Sequence, residues 1–175
     1  MKKLYSELMG MSIFEEHSPH RPLGVVRNVM IDPETGKLLA FVLKNRQVIL
    51  PADTECLNNA LYIRSRDDLI PMEDVLRVAE VDRMAIDVAG SQVMTAKTRK
   101  ILGRVIDYEV DLKAAQLTTL HVAKLFLIFH LSEAIISAKN IIKIDRAFIT
   151  VEDTTELRLP VDDGDEEVTP SPLAV

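Results

Sequence analysis

The stretch LGVVRNVMIDPETGKLLAFVL, residues 23 to 43, is followed seventy-nine positions later by LGRVIDYEVDLKAAQLTTLHV, residues 102 to 122. The match extends in both directions, because an isolated glycine precedes each stretch, and residues 49–56 resemble residues 130–137 once two residues are inserted. Collinear matches over most of each half predict an internal duplication. At the constant shift, Leu23, Gly24, Val26, Ile31 and Asp32 become Leu102, Gly103, Val105, Val110 and Asp111.

Each copy has a short, strand-like pattern. VVRNVMID and RVIDYEVD are rich in β-branched residues, and DPETGK supplies the proline and glycine that a tight hairpin turn needs. Several strands within about sixty residues must close on themselves, because a flat sheet this short leaves its edges exposed. The sequence therefore predicts an all-β protein of two tandem small antiparallel barrels, each with its own apolar interior.

The predicted boundaries place a first unit at residues 1–80, a second at 81–160 and a tail at 161–175. The tail is rich in acids and prolines and lacks an apolar period, which predicts disorder. Two segments, 72–87 and 132–148, are candidates for short helical connectors. A strand also fits the end of the first segment, and a turn before a last strand also fits the second.

These residues resemble the PRC-barrel family, small β-barrels found in the cytoplasmic part of photosynthetic reaction centres and in ribosome maturation factors. The resemblance rests on Gly10, on residues 23–43 and on QVILPADTEC in the first copy, and on LGRVIDYEVD and FHLSEAII in the second. The second copy has Ala115 in place of Gly36 and Ser132 in place of Pro51. The resemblance implies a module that docks onto a protein or ribonucleoprotein, with no shared catalytic residue or cofactor.

Composition narrows the class of protein further. A chain of 175 residues with 47% hydrophobic content can bury a sizeable core, and its single cysteine, Cys56, fits a reducing compartment. No signal peptide or membrane-spanning stretch is evident, so we expect a cytoplasmic protein without membrane insertion. The formal charge of −6 includes −5 from the tail, and a nearly neutral body argues against general nucleic-acid binding.

Known catalytic patterns are missing from the sequence. It holds no G-x-S-x-G, no phosphate-binding loop and no motif around Cys56, so we expect a protein that is not an enzyme. His17 and His20, in EEHSPHR, suggest a metal site only weakly, because an exposed polar loop is the simpler explanation. We therefore expect no metal, and a small metal-dependent enzyme is kept as a third hypothesis.

The loop that corresponds to EEHSPHR in the second copy is basic. Its sequence, AKTRKILGR, carries Lys97, Arg99, Lys100 and Arg104 and no acid. A solvated loop is the simpler interpretation. The sharper hypothesis is that these cations bind an anionic surface, which would be ribosomal RNA, an acidic protein or the protein's own tail.

A second candidate surface is apolar. The run VAKLFLIFHL places Phe126 and Ile128 among consecutive large hydrophobic residues, so a strand there points some of them outward unless both faces are covered. The other barrel, a homo-oligomer partner or a client protein could supply the cover. We expect an interaction or scaffold module with a protein partner. The alternative is a ribosome-associated maturation or RNA-contacting factor, which the basic loop supports.

Overall fold

The computed structural model describes residues 1–18, 20–126 and 129–153, apart from the side chains of 125–132. The first half contains the strands β1 (Lys2–Leu4), β2 (Ser12–Glu15), β3 (Gly24–Val25), β4 (Asn28–Ile31), β5 (Leu38–Val42), β6 (Gln47–Ile49), β7 (Thr54–Leu57), β8 (Ala60–Ile63) and β9 (Ile70–Pro71). The second half contains β10 (Gln92–Thr95), β11 (Ile101–Asp111), β12 (Gln116–Phe126), β13 (Phe129–Ser137), β14 (Ile141–Ile144) and β15 (Phe148–Val151). The helices are α1 (Tyr5–Leu8) and α2 (Leu76–Met84), with 3-10 turns at Lys44–Arg46, Pro51–Asp53, Arg66–Asp68, Met72–Asp74 and Ala138–Asn140. The tail predicted at 161–175 lies outside the described residues.

The strands form three sheets. The two small sheets have the orders β3-β2-β8-β7 and β4-β5-β6-β9, and the large sheet has the order β13-β12-β11-β10-β15-β14 with β1 paired to β11. The mainly β class is confirmed. The described strands close no sheet into a barrel, and β2 pairs β8 in parallel as β10 pairs β15. The prediction of two closed antiparallel barrels is therefore wrong, because the sheets contain parallel pairs and β1 of the first half pairs with β11 of the second.

The same strand order occurs in both halves, which we call copy one (residues 1–80) and copy two (residues 81–153). The order β3-β2-β8-β7 corresponds to β11-β10-β15-β14, and β4-β5-β6 corresponds to β11-β12-β13. In copy two, one long strand, β11, occupies the places of both β3 and β4. This continuity merges the two small sheets of copy one into a single large sheet.

Strand register confirms the shift of seventy-nine in the central hairpin. Asn28 pairs with Val42, and Asp107 pairs with His121. A β-bulge interrupts the first hairpin between Met30 and Ile31, and another interrupts the second hairpin between Glu109 and Val110. Bulges fix register, so a bulge at equivalent positions shows that the two hairpins are built residue for residue alike.

The register also corrects the alignment beyond the hairpin. Val42 pairs with Val48, whereas His121 pairs with Ile135, so the β12–β13 connection is eight residues longer than the β5–β6 connection. The 3-10 turn that begins at Pro51 therefore corresponds to the one that begins at Ala138, and the match of 49–56 with 130–137 is out of register.

Of the short helix or turn predicted for residues 132–148 before a last strand, the structure has the turn and not an α-helix. This segment forms the end of β13, a 3-10 turn and the strand β14. Its isoleucine pairs fit a helix by spacing alone, but Ile136 and Ile144 are buried from separate strands while Ile142 is exposed. The connector predicted for 72–87 is confirmed as a 3-10 turn followed by α2.

One apolar core joins the two copies. A single cluster of buried side chains includes Ile13 and Leu61 from copy one and Val93 and Ile149 from copy two. The prediction that each copy encloses a separate interior is therefore wrong. A smaller cluster lies between α2 and the sheet of β4, β5 and β6. Among the described residues, no helix is long and apolar enough to cross a membrane.

A partly buried ion pair fixes α2 to the turn of copy one. Arg77, on α2, donates from Nε and Nη2 to the two carboxylate oxygens of Asp32 at 3.0 and 2.9 Å. Asp32 is only 5% exposed, and this pairing holds the pKa of its carboxyl below the ordinary value. Glu34 and Glu80 lie within 3.1 and 3.2 Å of the same guanidinium. The connector thus binds through polar as well as apolar contacts.

Candidate functional site

The predicted cations of copy two lie around one turn. Lys97, Arg99 and Lys100 lie between β10 and β11, and all three are exposed. Arg104, on β11, is also exposed, and its guanidinium donates to the Gly90 carbonyl at 3.0 Å. None of the four forms an ion pair with an acidic side chain of the described residues. We call these four residues the basic cluster.

The backbone of this turn is held by Asp153. Its carboxylate accepts from the backbone N–H groups of Lys97 at 2.7 Å and Thr98 at 2.9 Å, and from the Thr98 hydroxyl at 2.8 Å. These hydrogen bonds lower the pKa of Asp153 below its ordinary value. The turn is therefore anchored to the segment that follows β15, a partner that sequence reasoning did not identify.

The side chains of two threonines form hydrogen bonds within the turn. The hydroxyls of Thr95 and Thr98 lie 2.7 Å apart, and the Thr95 hydroxyl accepts from the Lys100 N–H at 2.9 Å. Arg99 has a positive φ of 52°, which this network must hold in place. The cations thus project from an ordered loop. Such a loop presents charge with less loss of conformational entropy on binding than a mobile one.

The apolar run lies at the same end of the large sheet. Arg104 pairs with Ala123 on the antiparallel neighbour β12, so the beginning of β11 and the end of β12 lie together. Phe126 ends β12, and its backbone pairs with Phe129 on β13. Ile128 lies outside the described residues. We call residues 122–126 and 129–134 the hairpin arm. The two strands stay paired along it, so copy two has a longer hairpin beside the basic turn.

The corresponding loop of copy one has a different chemistry. His17 and His20 are exposed, and Glu15 forms a bridge with Ser18. Within the described part of the chain, no group of three or more histidine, cysteine or acidic side chains is placed to hold a metal ion. Cys56 is half-buried, and burial raises the pKa of its thiol. Neither place brings together the groups of a catalytic site.

A cavity of about 530 Å³ lies where the copies meet. Tyr5 and Tyr108 stack in its wall with ring centroids 4.9 Å apart, and the Tyr5 hydroxyl donates to Asn28 Oδ1 at 3.4 Å. Burial, and then the Asp87 carboxylate, raise the pKa of Tyr5. No local pattern in the sequence indicates this cavity, because Tyr5 and Tyr108 lie in different copies.

Comparison with known proteins supports the family resemblance of the first copy. Residues 2–86 match the family model of the PRC-barrel domain. The same model does not detect a second copy. No curated protein matches the chain significantly. The resemblance is confirmed for the first half, where the match runs six residues past the predicted boundary at residue 80. Residues 2–86 of this chain are therefore similar to a PRC-barrel domain.

Proposed function

We propose that the chain is a non-enzymatic adaptor of two tandem PRC-barrel-like units, and that copy two binds an acidic protein partner. The binding surface consists of the basic cluster and the hairpin arm. The observation that carries the proposal is that both features lie at one end of the large sheet, where copy two departs from copy one.

Shared backbone geometry makes this departure informative. Gly10 and Gly90 both have a positive φ, and their N–H groups make equivalent hydrogen bonds, to the Val26 carbonyl at 2.9 Å and to the Val105 carbonyl at 2.8 Å. The two copies therefore have the same backbone conformation and hydrogen bond at these turns. Against that background, a turn with three exposed cations and a hairpin lengthened by eight residues are additions that the fold does not need.

The chemistry of the surface favours a protein partner. Adjacent cations create a local positive potential even on a nearly neutral body, and Ile101, between them and Arg104, is an exposed hydrophobic side chain. The sequence of the arm is strongly apolar. Mixed apolar and cationic surfaces match protein interfaces, in which an apolar centre is surrounded by a charged rim. A phosphate backbone offers no apolar counterpart.

Binding to ribosomal RNA is the competing function. The basic cluster supports it, since phosphate contacts are made by lysine and arginine. The nearly neutral body opposes it, because duplex binding draws most of its affinity from a basic excess. Co-sedimentation with ribosomal subunits, before and after nuclease treatment, distinguishes the two.

Charge reversal tests the proposal. A variant carrying Lys97→Glu, Arg99→Glu and Lys100→Glu is compared with the wild type as bait in native-cell extract, and captured proteins are quantified by mass spectrometry over a salt series. We expect acidic partners to bind the wild type in a salt-dependent manner and to be lost from the variant. Binding measurements with the purified partner must then show the same difference between the wild type and the variant.

A matched control separates the surface from net charge. Lys44→Glu, Arg83→Glu and Lys139→Glu reverse three exposed cations elsewhere that have no ion pair with the described residues. This variant has the same formal charge as the first and should keep its partners. Equal capture by both variants and the wild type, or equal loss from both variants, contradicts the proposed surface.

A further inference from the structure

The two copies differ at the outer edge of their central hairpin, which is the side of β4 that faces away from β5 and the side of β11 that faces away from β12. In copy two, β1 pairs with this edge, and Lys3 lies opposite Val110. The shift of seventy-nine makes Ile31, on β4, the equivalent of Val110. Among the described strands, β4 pairs only with β5. The edge of copy one therefore lacks the strand that copy two has.

The backbone groups that β1 uses in copy two can be identified. The Leu112 N–H donates to the Met1 carbonyl at 2.8 Å. Hydrogen-bonded pairs alternate along two antiparallel strands, so Val110, two residues before Leu112, turns its N–H and C=O toward Lys3. Both outward groups of Val110 are therefore paired with β1.

The same groups of Ile31 also point outward, but they are unpaired. Leu38 lies opposite Ile31 on β5, and its N–H donates to the Ala115 carbonyl of copy two at 2.9 Å. The residue after Ile31, Asp32, donates its N–H to the Lys37 carbonyl at 2.8 Å. This alternation turns the N–H and C=O of Ile31 away from β5, and neither has a hydrogen-bond partner among the described residues. Ile31 is only 4% exposed, and buried backbone groups without a partner are rare in proteins.

The open edge of β4 lines the cavity where the two copies meet, which has a volume of about 530 Å³. Residues 27–31 form one wall, and further walls come from Val81 of α2 and from residues 85–89, in the connection that leads from α2 to β10. A cavity of this volume is within the range of ligand-binding pockets in proteins. The strand that copy one lacks is therefore replaced by open space and not by packed side chains.

The positions on either side of Ile31 limit the pairing to this residue. Val29 also faces outward, but its N–H donates to a side-chain amide oxygen at 2.8 Å and its carbonyl accepts from the Tyr108 hydroxyl at 3.3 Å. On the other side, Pro33 stands at the position of Leu112 and has no N–H. Ile31 therefore provides the free hydrogen-bonding groups of β4, and a segment as short as β1 is enough to reach both of them.

The side chains at this edge favour an aliphatic residue. In copy two, Leu4 lies opposite Glu109, whose carboxylate accepts from Lys2 Nζ at 2.8 Å. Met30 has the place of Glu109 in copy one, and it belongs to an apolar cluster with Val81 of α2. Opposed residues of paired strands have their side chains on the same face of the sheet. A residue placed opposite Met30 therefore meets an apolar surface.

We propose that the outer edge of β4 binds a short extended segment of a partner protein, which adds an antiparallel strand there as β1 does in copy two. One residue of the segment pairs through its N–H and C=O with Ile31, and the next residue is aliphatic and lies opposite Met30. Main-chain hydrogen bonds together with a pocket for a side chain are the usual basis of strand addition. The site is separate from the basic cluster and goes beyond the function proposed for that surface.

A peptide with the sequence of residues 1–8, MKKLYSEL, is the probe for this site. Bound as β1 is bound in copy two, its third residue lies opposite Ile31 and its leucine lies opposite Met30. The full-length protein is titrated into the peptide, which carries a fluorophore at its C-terminus, and binding is followed by fluorescence anisotropy. We expect saturable binding at submillimolar protein concentration.

A matched peptide separates strand pairing from attraction between side chains. In this peptide the change Lys3→Pro removes the N–H that donates to the Ile31 carbonyl, so the carbonyl stays without a partner. We expect the proline peptide to bind at least about tenfold more weakly. Equal affinity of the two peptides, or the absence of saturable binding by the first, overturns the proposal.

Amide hydrogen exchange of the isotope-labelled protein locates the bound peptide. With saturating peptide, the Ile31 amide should exchange at least about tenfold more slowly, whereas the Val110 amide, already paired with β1, should be unchanged. An unchanged Ile31 amide places the peptide elsewhere, and faster exchange of the protein's own Lys3 amide shows that the peptide replaces β1. Protection of Ile31 that is present without peptide and disappears on dilution shows that a second copy of the chain occupies the edge. Each of these three results overturns the proposal.

Discussion

Lys37 and Gln116 occupy equivalent positions in the two copies, and they form an antiparallel bridge with each other. The Leu38 N–H donates to the Ala115 carbonyl, and the Leu117 N–H donates to the Gly36 carbonyl, each at 2.9 Å. The shift of seventy-nine exchanges these two hydrogen bonds. Such an exchange is the property of an isologous interface across a twofold axis. The copies therefore face each other as the two halves of a symmetric dimer do.

A second contact follows the same relationship. Val29 and Tyr108 are equivalent by the shift, and the Tyr108 hydroxyl donates to the Val29 carbonyl at 3.3 Å. This contact is buried, and it lies beside the stack of Tyr5 on Tyr108. Strand β1 then crosses to copy two and pairs with β11. These contacts explain how duplicated units come to share one core.

The close approach at Gly103 gives the first prediction. Gly103 has a φ of 150°, and a Cβ atom there would lie 2.4 Å from the Ala123 carbonyl oxygen. Gly103→Ala should lower the free energy of unfolding by about 2–3 kcal/mol, because the strands β11 and β12 must separate.

Gly90→Ala is the control, since Gly90 has a positive φ but no atom within 4 Å of the added carbon. It should cost only about 1 kcal/mol. Urea denaturation of both variants measures the difference, and equal losses contradict the steric explanation.

The pair of Asp32 and Arg77 gives the second prediction. Arg77→Met leaves a buried carboxylate without its main partner and should lower the melting temperature by several degrees, a loss moderated by the partial exposure of Arg77. Arg83→Met changes an exposed arginine on the same helix and should have almost no effect. Thermal unfolding of the two variants compares them. If Arg83→Met is as damaging as Arg77→Met, the ion pair does not explain the loss.

Acid should weaken the same contact. The pKa of Asp32 is lowered by hydrogen bonding to Arg77, so its contribution is complete above the unfolded-state value of about 3.9 and is lost as the pH falls through the folded-state value. Unfolding free energy measured between pH 6 and pH 3 should fall more steeply for the wild type than for Asp32→Asn. Parallel curves would show that Asp32 does not contribute to the acid sensitivity.

Asp153 gives a prediction in which two effects have opposite signs. Asp153→Ala removes a negative charge beside the basic cluster, which by electrostatics alone should strengthen binding to an acidic partner. It also removes three hydrogen bonds that order the turn. We expect the affinity for the captured partner to fall several-fold, because ordering entropy outweighs one screened surface charge. A rise in affinity, measured by titration with the purified partner, would show that the order of the turn is unimportant.

The sequence predicted the central hairpins well because β-branched runs and a proline-glycine turn are local signals. It failed where local signals agree with more than one structure. Ile135, Ile136, Ile141 and Ile142 fit one helix by spacing, yet they belong to two strands separated by a turn. The eight-residue insertion in the hairpin arm also moved the true counterpart of Pro51 from Ser132 to Ala138.

The sequence did not predict the long-range contacts. Gly36 and Ala115 both adopt positive φ, so the alanine in place of the turn glycine does not change the turn. The contacts of Asp153 with the basic turn and of Asp32 with Arg77 join residues more than forty positions apart, and nothing in their local sequence indicates them. For the same reason the sequence could not distinguish two apolar interiors from one.

The claim that one core joins both copies is tested most directly by native-state hydrogen exchange. Leu61→Ala should cost about 3 kcal/mol, because Leu61 is fully buried in copy one. We predict that the slowest amides near its counterpart Ile149, in copy two, lose the same opening free energy as those near Ile13 in copy one. Unchanged exchange around Ile149 would show that the copies unfold independently and would contradict the shared core.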